Sequence, residues 1–267
     1  MTGPWLELLA AKIVLSAGIV IGITVAAERL GPRIGGLLAA TPQFSVVALV
    51  FFTIEQGHAF AAETAFWTIP GVCGTVPFFL AYLAASGRHP RSRLGSIAVG
   101  ILAGSVVFVA FTAVLGLVSL TRITVIVVAT LVCLAAGFTV RSLPDTAPLA
   151  RVRTSPGLLA VRAAVSAAMV IAITAAANVL GPKWSGLVSG YPVNSLPIIA
   201  ILHFHYGRET IRPIVKLWPA GAFGICLFNL TAWLANERLG LATTILLGFT
   251  VDIAYLMAVA WLRRRWR

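Results

Sequence analysis

Residues 8–57 read LLAAKIVLSAGIVIGITVAAERLGPRIGGLLAATPQFSVVALVFFTIEQG, and residues 158–207 read LLAVRAAVSAAMVIAITAAANVLGPKWSGLVSGYPVNSLPIIAILHFHYG. The two stretches align without a gap at a constant offset of 150, and 19 of their 50 positions are identical. A chain that repeats itself in this way consists of copies of one structural unit. Because both copies are apolar enough to cross a bilayer, the repeat indicates a duplicated membrane protein, and such proteins are often transporters.

The composition argues against a water-soluble globule. Of the 267 residues, 59% are apolar and only 10% are charged, and the mean hydropathy is +0.97. In hydrocarbon every backbone amide needs a partner inside the protein, which leaves helices or closed barrels. The apolar runs here are continuous, whereas barrel strands alternate apolar and polar residues. We therefore expect an all-α polytopic membrane protein embedded in the lipid bilayer.

The net charge of +12 lies mainly in short loops between the apolar runs. Without a basic stripe or a nucleic-acid motif, it predicts no nucleic-acid partner. Alternate loops hold 14 basic residues in one set and 3 in the other. The richer set comprises Arg29, Arg33, Arg88, Arg91, Arg93, Arg141, Arg151, Arg153, Arg208, Arg212, Arg263, Arg264, Arg265 and Arg267, and the poorer set comprises Arg122, Lys183 and Arg238. Since cytoplasmic loops collect basic residues, we expect an external N-terminus and a cytoplasmic C-terminus.

Nine spans fit this charge distribution. A helix needs about 20 apolar residues to cross the bilayer, and such runs lie near residues 8–27, 34–54, 61–85, 94–118, 122–140, 157–178, 184–204, 213–235 and 239–262. The first span then runs inward and its copy runs outward, so the repeats are antiparallel. The expected units are a first four-helix repeat over residues 1–119, a connector helix and linker over 120–145, and an inverted second repeat over 146–267.

The second span of each repeat contains a proline near its middle, at Pro42 and Pro192. Interrupted helices at matching positions of two halves point to a transporter's binding site. The predicted substrate-binding residues around the two prolines are Thr41, Pro42, Gln43 and Ser45 in one half and Tyr191, Pro192, Asn194 and Ser195 in the other. The alternative is a proline kink in which these polar groups satisfy the carbonyls that proline frees, such as those of Leu38 and Val188.

Two further polar residues lie inside predicted spans. Asn229 is expected either to face the cavity or to bridge two helices. Asp252 lies well inside the last span, where an acid is costly and therefore a functional candidate. We assign it to proton coupling, with pairing to Arg212 or Lys216, or capping of a neighbouring helix, as the alternative.

The residues of an enzyme or a metal centre are missing from this pattern. Cys73, Cys133 and Cys226 lie singly in apolar runs without metal-site or disulfide spacing, which predicts packing roles. His203 and His205 are two residues apart, which on a helix points them to different faces. We expect no catalysis, no cofactor and no metal.

Several of these segments resemble the GlpM family of small bacterial inner-membrane proteins. In the first half the resemblance runs from Gly36-Leu37 through Pro42, Gly57 and Trp67 to Phe78-Phe79-Leu80-Ala81-Tyr82. In the second it comprises Gly186-Leu187, Pro192, His205-Tyr206, Glu209, Arg212 and Trp218. The resemblance implies two fused four-span units and a bacterial inner-membrane location, and it names no substrate.

Together these features predict a secondary transporter of a small solute working by alternating access. Two other functions stay open at this point. One is a non-transporting membrane scaffold or assembly protein, and the other is a flippase for a lipid or lipid-linked carrier, which calls for a cavity that opens sideways and carries basic groups near the headgroups. Assembly into a homo-oligomer is also left open.

Overall fold

The computed structural model describes residues 3–29, 41–87, 92–143 and 156–265, and within these ranges every regular element is helical. The elements are α1 (Gly3–Arg29), α2 (Gln43–Gln56), α3 (His58–Cys73), α4 (Thr75–Ser86), α5 (Arg93–Leu117), α6 (Arg122–Val140), α7 (Pro156–Ser189), α8 (Leu196–Tyr206), a 3₁₀ turn (Arg208–Ile211), α9 (Arg212–Leu239) and α10 (Leu241–Arg265).

Six helical segments among the described residues are long and apolar enough to cross a bilayer. They are His58–Ser86, Arg93–Leu117, Arg122–Val140, Leu159–Ser189, Arg208–Leu239 and Leu241–Leu262. Helices α2 and α8 are apolar but shorter. The prediction of an all-helical fold is thus confirmed for the described residues, the six long apolar helices are consistent with a membrane protein, and the count of nine spans stays a prediction.

Helix α7 is bent at Gly181, whose backbone has φ 68° and ψ 172°. This conformation is open to glycine and strained for other residues. The bend divides α7 into a long first part and a short second part that ends at Ser189. Residues 190–195 are not helical, and α8 follows. The second copy therefore contains two short helices joined by an irregular segment that includes Pro192, as the proline predicts.

Helix α9 packs against α3 and α4 and runs in the opposite direction. As residue numbers rise along α3 and α4, their partners on α9 fall. The contacts are the His58 ring with the Asn236 carbonyl at 3.0 Å, the Cys226 thiol with the Ile69 carbonyl at 3.7 Å, and the Trp218 indole N–H with the Thr75 hydroxyl at 2.6 Å. Helix α9 therefore lies antiparallel to α3 and α4.

The second part of α7 packs on α3 through glycine. A Cβ atom at Gly190 would collide with the backbone of Gly71, and one at Gly186 would collide with the backbone of Thr64. A Cβ atom at Gly71 would in turn meet the Leu187 carbonyl. Only glycine lets the two helices come this close. Their contact brings the irregular segment after Ser189 to the centre of the molecule.

Candidate functional site

Both proline segments form the same tight turn. The Gln43 amide donates to the Thr41 carbonyl at 2.8 Å, and 150 residues later the Val193 amide donates to the Tyr191 carbonyl at 2.7 Å. Pro42, between the first pair, has φ −77° and ψ 52°, which is the inverse γ-turn conformation. Proline suits this central position because its ring fixes φ.

The chain leaves the two turns in the same way. The Val46 amide donates to the Pro42 carbonyl, and the Leu196 amide donates to the Pro192 carbonyl, both at 3.0 Å. The first bond begins α2, whereas the second lies in the turn that precedes α8, which begins at Leu196. The aligned stretches thus agree in local hydrogen bonding as well as in sequence.

The two turns meet at one small cavity of about 70 Å³. It is lined by Thr41, Pro42, Gln43, Phe44, Ser45, Val72, Thr75, Ser189, Gly190, Tyr191, Pro192, Val193, Asn194, Ser195, Trp218 and Ile225. All eight residues predicted around the prolines are in this set. The two segments therefore come together in the structure, although 146 to 154 residues separate their members. At roughly 30 Å³ per water molecule, the cavity has room for about two waters.

The ninth predicted binding residue, Asn229, lies beside this cavity. Its side-chain amide donates to the Ser45 hydroxyl at 3.1 Å and to the Ile225 carbonyl at 2.8 Å. The first bond joins α9 to α2, which is the helix-bridging role. Asn229 thereby fixes the orientation of Ser45, a residue that does line the cavity.

Among the lining residues, Asn194 carries a polar atom that the described part of the fold does not use. The Asn194 side-chain oxygen is buried and has no hydrogen-bond partner among the described residues. The carbonyl of Val188, which Pro192 frees, accepts the Tyr191 amide at 3.0 Å. Thus a backbone amide of the turn satisfies this carbonyl, and not one of the polar side chains that the kink alternative names, while the Asn194 oxygen has no partner among the described residues. The other freed carbonyl, at Leu38, lies outside the described residues.

Sequence reasoning missed three polar members of the lining, Thr75, Ser189 and Trp218. The Trp218 indole N–H donates to the Thr75 hydroxyl at 2.6 Å, which joins α9 to α4 at the cavity wall. Helical periodicity alone does not say which side chains of neighbouring helices face the proline turns. The two prolines predict only the segments in which they lie, and not the residues of neighbouring helices that complete the lining.

A second and much larger cavity, of about 600 Å³, adjoins the first. Its walls are almost entirely apolar and come from α5, the first part of α7 and the residues that follow Gly181. Tyr191 and Val193 line both cavities. The Tyr191 hydroxyl is hydrogen-bonded to the Ser105 hydroxyl of α5 at 2.7 Å, and its ring packs edge-on against Phe78 and Phe108. Tyr191 is therefore held in place in the wall between a polar and an apolar space.

Asp252 lies away from both cavities. It is fully buried between α9 and α10, with its carboxylate against Gly224, where a Cβ atom would collide with it. Neither oxygen has a hydrogen-bond partner among the described residues. Of the partners considered from the sequence, Arg212 pairs with Glu209 at 2.6 Å, and the Lys216 ammonium donates to the Leu143 carbonyl at 2.8 Å.

One polar cluster holds the turn at Gly207, where α8 ends. His203 of α8 is buried between the Tyr82 hydroxyl, 2.8 Å from its Nδ1, and the Ser96 hydroxyl, 3.3 Å from its Nε2. Since Ser96 donates its proton to the Ser86 carbonyl, Nε2–H is the donor to Ser96 and Nδ1 accepts from Tyr82. Nearby, Arg208 donates to the Leu83 carbonyl at 2.6 Å and Arg93 to the Phe204 carbonyl at 2.7 Å. This end of α8 is thereby fixed to α4 and α5.

A different cluster lies at Gly57, the aligned turn where α2 ends. The His58 ring donates to the Asn236 carbonyl at 3.0 Å, and the Asn236 amide donates back to the His58 carbonyl at 3.2 Å. Two residues before Gly57, Glu55 forms a salt bridge of 2.7 Å with Lys12, a buried cation of α1. The Lys12 ammonium also donates to the Thr174 hydroxyl of α7 at 2.6 Å. These bonds tie the end of α2 to α1, α7 and α9.

All three cysteines meet in one apolar cluster with Phe66, Trp67 and Ala222. They come from α3, α6 and α9 and are buried, as their sequence context predicts. Their spacing follows no motif, so their proximity could not be predicted from the sequence.

No family model, no curated protein and no solved structure matches the chain.

Proposed function

We propose that the protein is a secondary transporter that moves a small solute by alternating access across a bacterial inner membrane. In this proposal nine spans form two inverted four-helix repeats joined by α6. The observation that carries it is the meeting of two aligned proline turns, with matching hydrogen bonds, around one cavity whose lining includes Asn194, a residue with a buried side-chain oxygen that has no partner among the described residues. Broken helices of this kind, at equivalent places in two halves, form the central site of many transporters.

The inverted arrangement is supported by the packing of α9 against α3 and α4. These elements are equivalent in the two repeats, and they lie antiparallel. In a duplication without inversion, equivalent helices would run in the same direction. Contacts between loops also agree with the proposed sides. Lys183 donates to the Val118 carbonyl on the proposed outer side, and Arg208 to the Leu83 carbonyl on the inner side.

The conformation described here is closed. A cavity of about 70 Å³ is too small for a metabolite, and the polar clusters at Gly57 and Gly207 hold its two ends. In alternating access one cluster opens while the other stays closed, which enlarges the cavity toward one side. The cavity walls carry neutral polar groups, so the proposal favours a neutral or zwitterionic solute.

Flux through proteoliposomes tests the proposal. Purified protein is reconstituted and assayed with a panel of labelled amino acids, sugars and small organic acids, with and without a pH gradient. Asn194→Leu, which removes the free acceptor and fills the cavity, should abolish flux. Thr243→Val, on an exposed face of α10, should leave flux unchanged. Folded protein that moves no solute would favour the scaffold function.

Proton coupling through Asp252 needs a test of its own. Asp252→Asn keeps the shape of the side chain and removes its ability to exchange a proton. We expect solute exchange at equal pH to persist and uptake driven by a pH gradient to disappear. An unchanged pH dependence of transport would remove Asp252 from the mechanism while leaving the central cavity in place.

The apolar cavity of about 600 Å³ favours a second candidate function, transport of an amphiphile such as a lipid-linked carrier. Such a molecule would place its polar part at the proline turns and its apolar part beyond Tyr191. Tyr191→Ala would join the two spaces. It should increase the flux of an amphiphile relative to that of a purely polar solute.

A further inference from the structure

A separate groove lies between the connector helix α6 and helix α9, outside the proposed transport site. Its volume is about 820 Å³. The lining residues come from α6 and α9, with Tyr255 of α10, and include Thr130, Gly137, Phe138, Arg141 and Lys216. None of the residues at the proline turns belongs to this set.

The groove has one charged end and one apolar end. Arg141, at the end of α6, and Lys216, in the first turns of α9, lie together at one end because the two helices are antiparallel. Lys216 is held there by its bond to the Leu143 carbonyl at 2.8 Å, and the Arg141 guanidinium lies 5.1 Å from the Phe138 ring centre. The acidic residue Glu209, near the start of α9, is paired with Arg212 at 2.6 Å. Arg141 and Lys216 are the charged residues among those that line the groove, and both are basic.

The length of the groove matches one leaflet of a bilayer. From Arg141 to Thr130 is eleven residues of α6, or about 16 Å at a rise of about 1.5 Å per residue. Half of a hydrocarbon core of about 30 Å is about 15 Å. A ligand with its charge at Arg141 thus has its apolar part alongside α6 as far as mid-membrane.

We propose that this groove binds an anionic phospholipid, with its phosphate between Arg141 and Lys216 and an acyl chain along Gly137 toward Thr130. Basic pockets between membrane helices bind anionic headgroups through this combination of charge and apolar wall. At Gly137 nothing lies within 4 Å of the place a Cβ atom would occupy. The backbone of α6 is therefore open to a chain lying against it.

The test uses the full chain in detergent, delipidated and titrated separately with phosphatidylglycerol and with phosphatidylcholine of the same acyl chains. Bound lipid is counted by native mass spectrometry. We expect phosphatidylglycerol to bind about thirtyfold more tightly, since each of the two basic groups near the headgroup contributes about 1 kcal/mol. Equal affinities for the two lipids would overturn the proposal. So would saturable binding of glycerol phosphate with the affinity of the lipid, since the acyl chain would then play no part.

Two variants locate the site. The double variant Arg141→Gln/Lys216→Gln should lose the preference for the anionic lipid, whereas Arg238→Gln, an exposed basic residue at the far end of the same helix, should keep it. Gly137→Leu should weaken binding of both lipids by filling the groove, and circular dichroism checks that it folds. Retained preference in the double variant, or unchanged binding in Gly137→Leu, would place the lipid elsewhere.

Discussion

The turns at Gly57 and Gly207 have the same backbone and are held by different side chains. Gly57 has φ 88° and ψ 169°, and Gly207 has φ 87° and ψ 171°. Each amide donates to the carbonyl four residues earlier, Thr53 or His203. At Gly57 the surrounding bonds include the Lys12–Glu55 ion pair, whereas at Gly207 they centre on the buried ring of His203. Duplication has preserved the shape of the turn and not its chemistry.

The difference is fixed by single positions of the repeat. At the offset of 150, Lys12 corresponds to Arg162 and Glu55 to His205. The second copy therefore has two basic residues where the first has an ion pair. Conversely, Thr53 stands where the second copy has His203. Under the proposed alternating access, a mutation can therefore weaken the cluster at one of these two turns without weakening the cluster at the other.

The largest effect on thermal stability is expected from breaking the ion pair between Lys12 and Glu55. Lys12→Met leaves the Glu55 carboxylate without its partner at a site where its side chain is only 16% exposed. Removing one member of a buried pair costs about 3 kcal/mol or more. We expect a lower midpoint of thermal unfolding in detergent. The double variant Lys12→Met/Glu55→Gln should recover most of that loss, and a double variant as unstable as the single one would show that the pair is not the cause.

An intermediate and equal effect is expected from the two glycines. Gly57→Ala and Gly207→Ala each force a side chain into a conformation that is essentially restricted to glycine, at a cost of about 1–3 kcal/mol. Both should lower the unfolding midpoint by the same amount, because their backbones are the same. Gly18→Ala, in helix α1 with nothing within 4 Å, is the matched control and should not destabilise. Unequal losses at Gly57 and Gly207 would show that the surroundings of the turns differ in more than side chains.

The smallest effect on stability is expected at His203. Tyr82→Phe removes one hydrogen bond of that ring, at about 1 kcal/mol. Its effect on conformation should be more specific, since it weakens only the Gly207 end. The test uses Asn194→Cys in a variant without the native cysteines, labelled with a membrane-impermeant thiol reagent. The reaction should be faster when the reagent is applied from the cytoplasmic side than from the outside, and Tyr82→Phe should increase the rate from the cytoplasmic side. A faster reaction from the outside instead would reverse the proposed topology.

The sequence was most informative where the repeat constrains the backbone. Pro42 and Pro192 identify the two turns, and Gly57 and Gly207 identify the ends of α2 and α8, because proline and glycine act on their own residue's dihedral angles. The bounds of the connector helix α6, Arg122–Val140, coincide with the expected run of residues 122–140.

The hydrogen-bond and ion-pair partners of the side chains could not be predicted from the sequence. His203 and His205 were expected on different faces, and they are buried and exposed respectively. Nothing in the pattern identified Tyr82 and Ser96 as the partners of His203, since they come from distant helices. Lys12 lies within the first apolar run of the sequence, and only packing shows it to be buried against Glu55 and Thr174. Such pairings depend on how helices rotate against each other, which one sequence does not encode in any local signal.

The backbone contact of α3 with the second part of α7 has a consequence for how this protein can diverge. At Gly71, Gly186 and Gly190 even a methyl group would drive the two helices apart, and with them the segments that carry Thr75 and Tyr191. If the protein is the transporter proposed above, homologues can therefore exchange the polar residues around the cavity, and with them the solute, as long as these three positions remain glycine. Selection should thus act more strictly on the three glycines of this helix contact than on the polar side chains that line the cavity.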